Sequence, residues 1–283
     1  MTLARVSAVI GLLLSLSLAA CAAAPPADPV RVMSYNIRVD VPSDTPNWTE
    51  RRPHLAAQIV FYDPDLLGVQ EATPAMLAWL AEHLPDRDRY GLGRDDGADQ
   101  GESTTIFWRR ARFEPISRDT FWCSPTPDRP SKGWDADYPR TVTRLVLRDR
   151  TDGRLWDVRN THFDHVGVEA RARCADLVAA MTPVEGARIV LMGDFNTGPD
   201  SEPYRRLIAS GLRDARAVSP VTFGPAGTYN AFDVADDNDG VAIDHLFVGP
   251  GLAVRRFGVP TDSFDGKVIS DHFPLVADIA PES

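Results

Sequence analysis

The run Arg188-Ile189-Val190-Leu191-Met192, followed at once by Gly193-Asp194-Phe195-Asn196-Thr197, constrains this chain more than any other stretch. It reads as a buried strand that delivers a carboxylate and a carboxamide, two residues apart, at its C-terminal end. If extended geometry continues that far, the period of two points Asp194 and Asn196 to one side. An anionic oxygen ligand beside a neutral group that both accepts and donates hydrogen bonds suits a hard cation and a phosphate. Taken alone, Asp-Phe-Asn also reads as an Asx turn closing a strand.

The construction recurs. Arg31 to Asn36 is a short alternating segment ending in Asn36, and Leu66 to Gln70 is an apolar run followed by Glu71. Asp157 to Thr161 leads to His162, Ala242 to Val248 carries Asp244, and Ser270-Asp271-His272-Phe273-Pro274 opens a last strand. One polar residue at a strand end is ordinary turn chemistry. Six strand-linked elements that each offer Asn, Asp, Glu or His are what a metal-dependent hydrolase needs, with strand ends converging on one polar site.

The N-terminus reads as an address. Arg5 supplies a weak positive region, and Val6 to Leu18 is an apolar run too short and too N-terminal for a membrane span. Leu18-Ala19-Ala20-Cys21 resembles a bacterial lipobox with Cys21 as the lipid acceptor; an ordinary cleavage site or an uncleaved anchor are the alternatives. The chain therefore divides into a signal peptide over 1–20, a lipidated cysteine with an Ala- and Pro-rich tether over 21–29, and one domain over 30–280. Acyl chains contribute about 0.8 kcal/mol per buried methylene, so several on one cysteine anchor stably. The expected location is the cell envelope, at the outer membrane if the cell has one. A net charge of −10 opposes the usual footprint of a nucleic-acid binder, although a local basic groove stays open as a possibility. Cys123 and Cys174 are the other cysteines; export permits a disulfide between them, and two unrelated thiols are the alternative.

Strands are predicted over 30–37, 66–70, 104–108, 116–121, 141–148, 154–161, 188–193, 242–248, 253–259 and 274–279. Helices are predicted over 49–61, 74–83, 169–181 and 201–210, with Thr73-Pro74 and Asp200-Ser201 as capping signals. Asp149 to Gly153 reads as a hairpin turn. This mixed order predicts an α/β fold of two packed sheets with helices outside. The loops over 40–48, 94–103, 122–139 and 224–241 are long and polar, as functional loops often are.

The motifs SYNIR at 34–38, GVQEA at 68–72, NTHFDH at 160–165, GDFNT at 193–197, IDHLFV at 243–248 and SDHFP at 270–274 resemble the endonuclease/exonuclease/phosphatase superfamily. GLGRDDG at 91–97, GESTTIFWR at 101–109, FWCS at 121–124 and SKGWDADYPR at 131–140 look like a bacterial branch of it. The resemblance implies a four-layer α/β sandwich of two mixed sheets flanked by helices, with Mg²⁺ or Mn²⁺ as cofactor and a phosphoester as substrate. It implies metal-site roles for Asn36, Glu71 and Asp271, and catalytic roles for His162, Asp194, Asn196, Asp244 and His272. Asp244 would orient His272, and His162 would contact the phosphate near the leaving oxygen. Val241-Ala242-Ile243-Asp244 departs from the Trp-Cys-Asp-Arg element of the phosphoinositide phosphatases, which argues against inositol polyphosphates.

The chemistry of the residues agrees. Carboxylates and carboxamides suit a hard divalent ion, which neutralises charge developing on a phosphoester. Either Asp194 or an Asp244–His272 dyad can take the proton from water, and the sequence does not choose. Arg140 reads as a phosphate clamp or as the partner of a neighbouring acid. Glu102 and Asp95 extend the polar site or are solvated loop acids; Trp134 stacks on substrate or packs its loop. His165 and His245 carry no role in the family pattern and read as structural or as supports behind the site residues. The leading expectation is a lipid-anchored, monomeric phosphoesterase acting on a phosphodiester, less readily on a phosphomonoester. A nuclease with a hidden basic groove and a catalytically silent binding lipoprotein are the alternatives.

Overall fold

The computed structural model describes residues 28–282. The expected signal peptide, Cys21 and the tether before Asp28 lie outside them. In chain order the strands are β1 (Val30–Asn36), β2 (Leu66–Gln70), β3 (Arg87–Tyr90), β4 (Ile106–Arg109), β5 (Phe113–Trp122), β6 (Thr141–Asp149), β7 (Leu155–His162) and β8 (Arg188–Asp194). Then follow β9 (Arg213–Asp214), β10 (Thr222–Phe223), β11 (Asp244–Val248), β12 (Leu252–Gly258), β13 (Ser263–Phe264), β14 (Lys267–Val268) and β15 (Leu275–Pro281). The helices are α1 (Trp48–Tyr62), α2 (Pro74–His83), α3 (Val168–Ala180), α4 (Glu202–Ala209) and the short α5 (Ala215–Val218).

Among the described residues the strands make one seven-stranded sheet, in the order β10-β12-β15-β1-β2-β4-β3, one six-stranded sheet, β5-β6-β7-β8-β11-β9, and a separate β13-β14 hairpin. Each of the two large sheets is mixed and built around a parallel pair, β1 with β2 in the first and β7 with β8 in the second. The apolar pattern of the central strands assigns the layers. Val32, Leu66, Val190, Met192 and Leu246 point between the sheets into a shared core. Their neighbours Met33 and Leu67 face α1 and α2, where Leu55, Ile59, Met76 and Leu80 meet them. Leu191 and Phe247 face the other way, onto Cys174, Val178 and Leu207 of α3 and α4. A strand buried on both faces has no polar side, which is why these runs are continuous rather than alternating. The result is the expected four-layer sandwich of two mixed sheets flanked by helices.

The sheets come into close contact beneath the site. A Cβ on Gly68 would stand 2.7 Å from Met192 Cε, and beside it Gln70 Nε2 donates to Asn160 Oδ1 across the sandwich at 2.7 Å. Asn160 returns its own amide hydrogens to the carbonyls of Val69 and Thr105. A satisfied polar seam inside an apolar core fixes how one sheet sits on the other.

The helix caps follow the sequence signals: Thr73 and Ser201 accept from Met76 N and Tyr204 N. Asn47 and Glu50 add a reciprocal capping box at α1. Several boundaries shift. The strand expected over 104–108 begins only at Ile106, the one expected over 242–248 begins at Asp244, and the one expected over 116–121 reaches back to Phe113. Cys123 and Cys174 are joined as a disulfide that ties the start of the 123–140 loop to α3.

Candidate active site

Strand register builds the site. In the second sheet, β8 carries Asp194 between two neighbours: His162 lies opposite it on β7 and Asp244 opposite it on β11. In the first sheet, Asn36 ends β1 opposite Gln70 of β2, so Glu71 is the next residue out. Asp271 and His272 immediately precede β15, which pairs with β1. Both sheets thus present the same end at their centres.

Beyond the strand ends the backbone turns left-handed at three of these motifs: Arg38 (φ 55), Glu71 (φ 62) and Asn196 (φ 49). Such conformations cost non-glycine residues and cluster at functional sites. Arg51, fully buried on α1, holds the first turn by donating to the carbonyls of Ile37, Arg38 and Val39. At the third, Gly193 is required outright: its φ is +150, and a Cβ there would lie 2.0 Å from the Thr161 carbonyl oxygen. Extended geometry does not carry through to Asn196 as the period-two reading assumed. The chain closes in an Asx turn, with Asn196 N donating to Asp194 Oδ1 at 2.8 Å and Asn196 Nδ2 to the Phe163 carbonyl at 3.0 Å. Turn chemistry and delivery of the carboxylate are here one device.

A cavity of about 510 Å³ opens over these ends, lined by Glu71, Arg140, His162, Asp194, Asn196, Asp271 and His272. Asn36 and Asp244 stand beneath it. Asn36 Nδ2 donates to Glu71 Oε1 and Asp194 Oδ2, both at 3.0 Å, while its Oδ1 accepts from Arg38 N. The Asn36 amide therefore orients two carboxylates; serving as an oxygen ligand would require it to turn over. Asp244 Oδ2 lies 2.8 Å from His272 Nδ1, and His272 Nε2 lies 3.7 Å from Asp194 Oδ2. His162 Nε2 stands 3.5 Å from the same Asp194 oxygen. The two candidate bases are thus opposite ends of one chain, Asp194–His272–Asp244.

The charges are set by burial and by one another. Burial and the nearby Asp244 push Asp194 up to about 7. Burial alone would lower His272, but Asp244 and Asp194 on either side outweigh it and raise it well above the ordinary imidazole value. His162 moves the other way: burial, then the guanidinium groups of Arg140 and Arg94, hold it well below that value.

Donor atoms of Glu71, His162 and Asp194 lie within 4.8 Å of one another. Asp271 lines the same cavity, with Arg38 Nη1 3.7 Å from its carboxylate. A donor set dominated by carboxylates fits a hard divalent cation. Glu71 belongs both to this cluster and to the set expected from the sequence.

Arg140 is the partner of a neighbouring acid, one of its two readings, and it also faces the cavity. Its Nε pairs with Asp164 at 3.3 Å and its Nη2 meets His165 Nδ1 at 3.1 Å, and the side chain still lines the cavity. Burial would raise Asp164, yet the N–H groups of Gly167, Asp137, Tyr138 and Val166 hold it well below the carboxylate range, so this anchor stays ionised. His165, read as structural, is part of the cavity wall. His245 is structural: it bonds the Thr197 carbonyl at 2.9 Å and faces Asp214. Trp134 is not among the lining residues, whereas Glu102 is. Arg38, Arg94, Tyr138 and Tyr229 also line the cavity without having been singled out. They sit on loops with no periodicity to expose them, although Arg38 closes the motif at 34–38 and Arg94 and Tyr138 fall within two of the branch motifs.

The model of the endonuclease/exonuclease/phosphatase family matches residues 33–272. A family protein of known structure from Bacteroides thetaiotaomicron is 34% identical, with a TM-score of 0.87 over 92% of this chain and all of its own. The mannosyl-6-phosphatase of Bacteroides thetaiotaomicron VPI-5482 is 34% identical, with a TM-score of 0.85 over 89% of this chain and 99% of its own. An uncharacterised mimivirus protein of Acanthamoeba polyphaga mimivirus is 28% identical over 81% of this chain and 91% of its own. Members of this family hydrolyse phosphoesters and generally depend on a divalent metal. On sequence, fold and the disposition of its strand-end carboxylates and histidines, this chain belongs to the endonuclease/exonuclease/phosphatase family.

Proposed function

We propose that the protein is a divalent-metal-dependent hydrolase of a small phosphoester, in the first place a phosphomonoester. The observation that carries this reading is charge pairing in the cavity wall. Arg38 is paired with Asp44, Arg94 with Glu102 and Arg140 with Asp164. Among the described lining residues, these paired arginines do not make the continuous cationic track that a nucleic-acid backbone needs. A cavity of about 510 Å³ is the size of one small molecule. The likeness to a mannosyl-6-phosphatase at 34% identity supports a monoester over the phosphodiester favoured by the sequence reading.

Glu71 and Asp271 are the residues that would hold the metal, with Asn36 fixing Glu71. Magnesium or manganese bound there supplies neutralisation of the charge that builds on the phosphoryl oxygens. The chain's own groups do the rest. A water oxygen bonds to phosphorus as the bond from phosphorus to the ester oxygen breaks. One proton passes from the water to the Asp194–His272–Asp244 chain, and that chain gives one up to the departing oxygen, so that alcohol and inorganic phosphate are released and the chain returns to its starting protonation. Asp244 orients the His272 ring through Nδ1. His162, uncharged, can hydrogen-bond a phosphate or leaving oxygen without adding charge, and Arg140 presents its guanidinium on the same side.

The test is hydrolysis of p-nitrophenyl phosphate, bis-p-nitrophenyl phosphate, mannose 6-phosphate and plasmid DNA with Mg²⁺ or Mn²⁺. Monoester turnover is expected, abolished by EDTA and restored by metal. It should fall at least about a hundredfold in both Asp194→Ala and His272→Ala. EDTA-resistant turnover, or a His272→Ala protein with wild-type rates, would sink the reading; turnover confined to DNA would replace it with a nuclease.

A further inference from the structure

Arg94 in the motif at 91–97, Tyr138 in that at 131–140 and Glu102 at the start of a third, 101–109, are given no part in the proposed phosphate chemistry. The fold brings them to one wall of the cavity. Arg94 Nη1 and Nη2 meet the two carboxylate oxygens of Glu102 at 2.8 and 2.9 Å. The guanidinium lies over the Tyr138 ring, 4.7 Å from its centroid, and His165 stacks on the same ring at 5.9 Å. The wall is anchored from behind. Arg94 N bonds the Glu102 carbonyl, Trp122 Nε1 bonds the Arg94 carbonyl, and Asp164 receives the Asp137 and Tyr138 N–H groups.

We propose that the Arg94–Glu102 pair, backed by Tyr138 and beside His165, is the subsite for the alcohol part of the substrate, and that this part is a carbohydrate. The proposal rests on the phosphoesterase reading and names its substrate class. A neutral ion pair has little pull on a phosphate. What it offers is a row of N–H donors next to carboxylate acceptors, and a hydroxyl is the small group that donates and accepts at once. Both side chains line the cavity while only 11% and 18% exposed. Polar groups so withdrawn from water discriminate strongly, because a leaving group without hydroxyls leaves the N–H groups and lone pairs not used within the pair unsatisfied. The fixed plane of the guanidinium, sandwiched by Glu102 and Tyr138, orients those donors before the substrate arrives.

The experiment compares kcat/KM for mannose 6-phosphate with that for cyclohexylmethyl phosphate, an alkyl ester of similar shape without the hydroxyls. Wild type, Glu102→Gln and Arg94→Lys are each assayed with Mg²⁺. The wild type should favour the sugar ester by about a hundredfold or more, and the preference should drop at least about tenfold in each variant. A ratio taken within one preparation does not depend on how much of a variant is folded. An unchanged ratio in both variants overturns the subsite. So does a wild type that hydrolyses p-nitrophenyl phosphate yet shows no preference for the sugar ester. A wild type that turns over no phosphoester at all overturns the phosphoesterase reading beneath it, and the subsite with it.

Discussion

Thr228 shows how much of a site can rest on a residue that no motif marks. Its hydroxyl donates to Asp244 Oδ2 at 2.6 Å and accepts the Ile243 and Asp244 N–H groups at 3.1 Å. Asp244 spends its other contact at that oxygen on His272 Nδ1, so Thr228 fixes the carboxylate that fixes the imidazole. Thr228→Val should lower kcat about tenfold to a hundredfold, the range for one lost hydrogen bond to a charged group, with KM nearly unchanged because Thr228 is not positioned to touch substrate. Thr228→Ser should restore the rate. A Thr228→Val enzyme with a raised KM and an intact kcat would place Thr228 in substrate binding instead. The residues Asn36, Glu71, His162, Asp194, Asn196, Asp244, Asp271 and His272 were legible because each follows or opens a strand whose apolar pattern gives its place away. Thr228 and Tyr229 precede no such run, and their nearness to Asp244 and His272 exists only once the sheets are assembled.

Elements were legible in proportion to their apolar periodicity. β2 and α2 fall where they were predicted, and β1, β7 and β8 within a residue at each end. β3, Arg87-Asp88-Arg89-Tyr90, was missed: as the edge strand of its sheet it is charged, a composition that blunts edges and erases the hydrophobic signal. The paired charges of β6 and β7 were equally silent in the sequence, yet they bear on stability. Asp157 on β7 is fully buried and meets Arg144 across the ladder and Arg159 on its own strand, with oxygen–nitrogen distances of 2.7 to 3.1 Å. Burial pushes this carboxylate up, but Arg159 and Arg144 outweigh it and hold it below its usual range. With the folded value lower than the unfolded one, the stability is complete above the unfolded value of about 4 and is lost as pH falls through the folded value. Asp157→Asn leaves two largely buried guanidinium groups without their anion, a change that costs about 3 to 5 kcal/mol at neutral pH. Thermal unfolding followed by circular dichroism should therefore separate variant from wild type widely at pH 7, with the gap closing as pH falls below about 4. A constant gap would show that Asp157 acts through packing and not through its charge.

At the scale of the whole molecule, the open question is where the enzyme meets its substrate. Among the described residues the site is assembled between Asn36 and His272, downstream of the signal peptide expected from the sequence. Two features point to export. One is the apolar run from Val6 to Leu18 ending at Leu18-Ala19-Ala20-Cys21. The other is the bond between Cys123 and Cys174, a pairing that persists in oxidising compartments and is rare in reducing ones. We propose that Cys21 carries lipid and that the domain works tethered at the cell envelope, where a sugar ester released by other extracellular hydrolases would reach it. Among the described residues no helix is long and apolar enough to cross a membrane. Metabolic labelling with a fatty acid should mark the wild type and not Cys21→Ser. The variant should leave the membrane fraction while hydrolysing p-nitrophenyl phosphate at the wild-type rate. If Cys21→Ser stays with the membranes, the 6–18 run is itself an uncleaved anchor; if the unlabelled wild type is recovered from the cytosol, the envelope assignment is wrong and the enzyme acts on an internal pool.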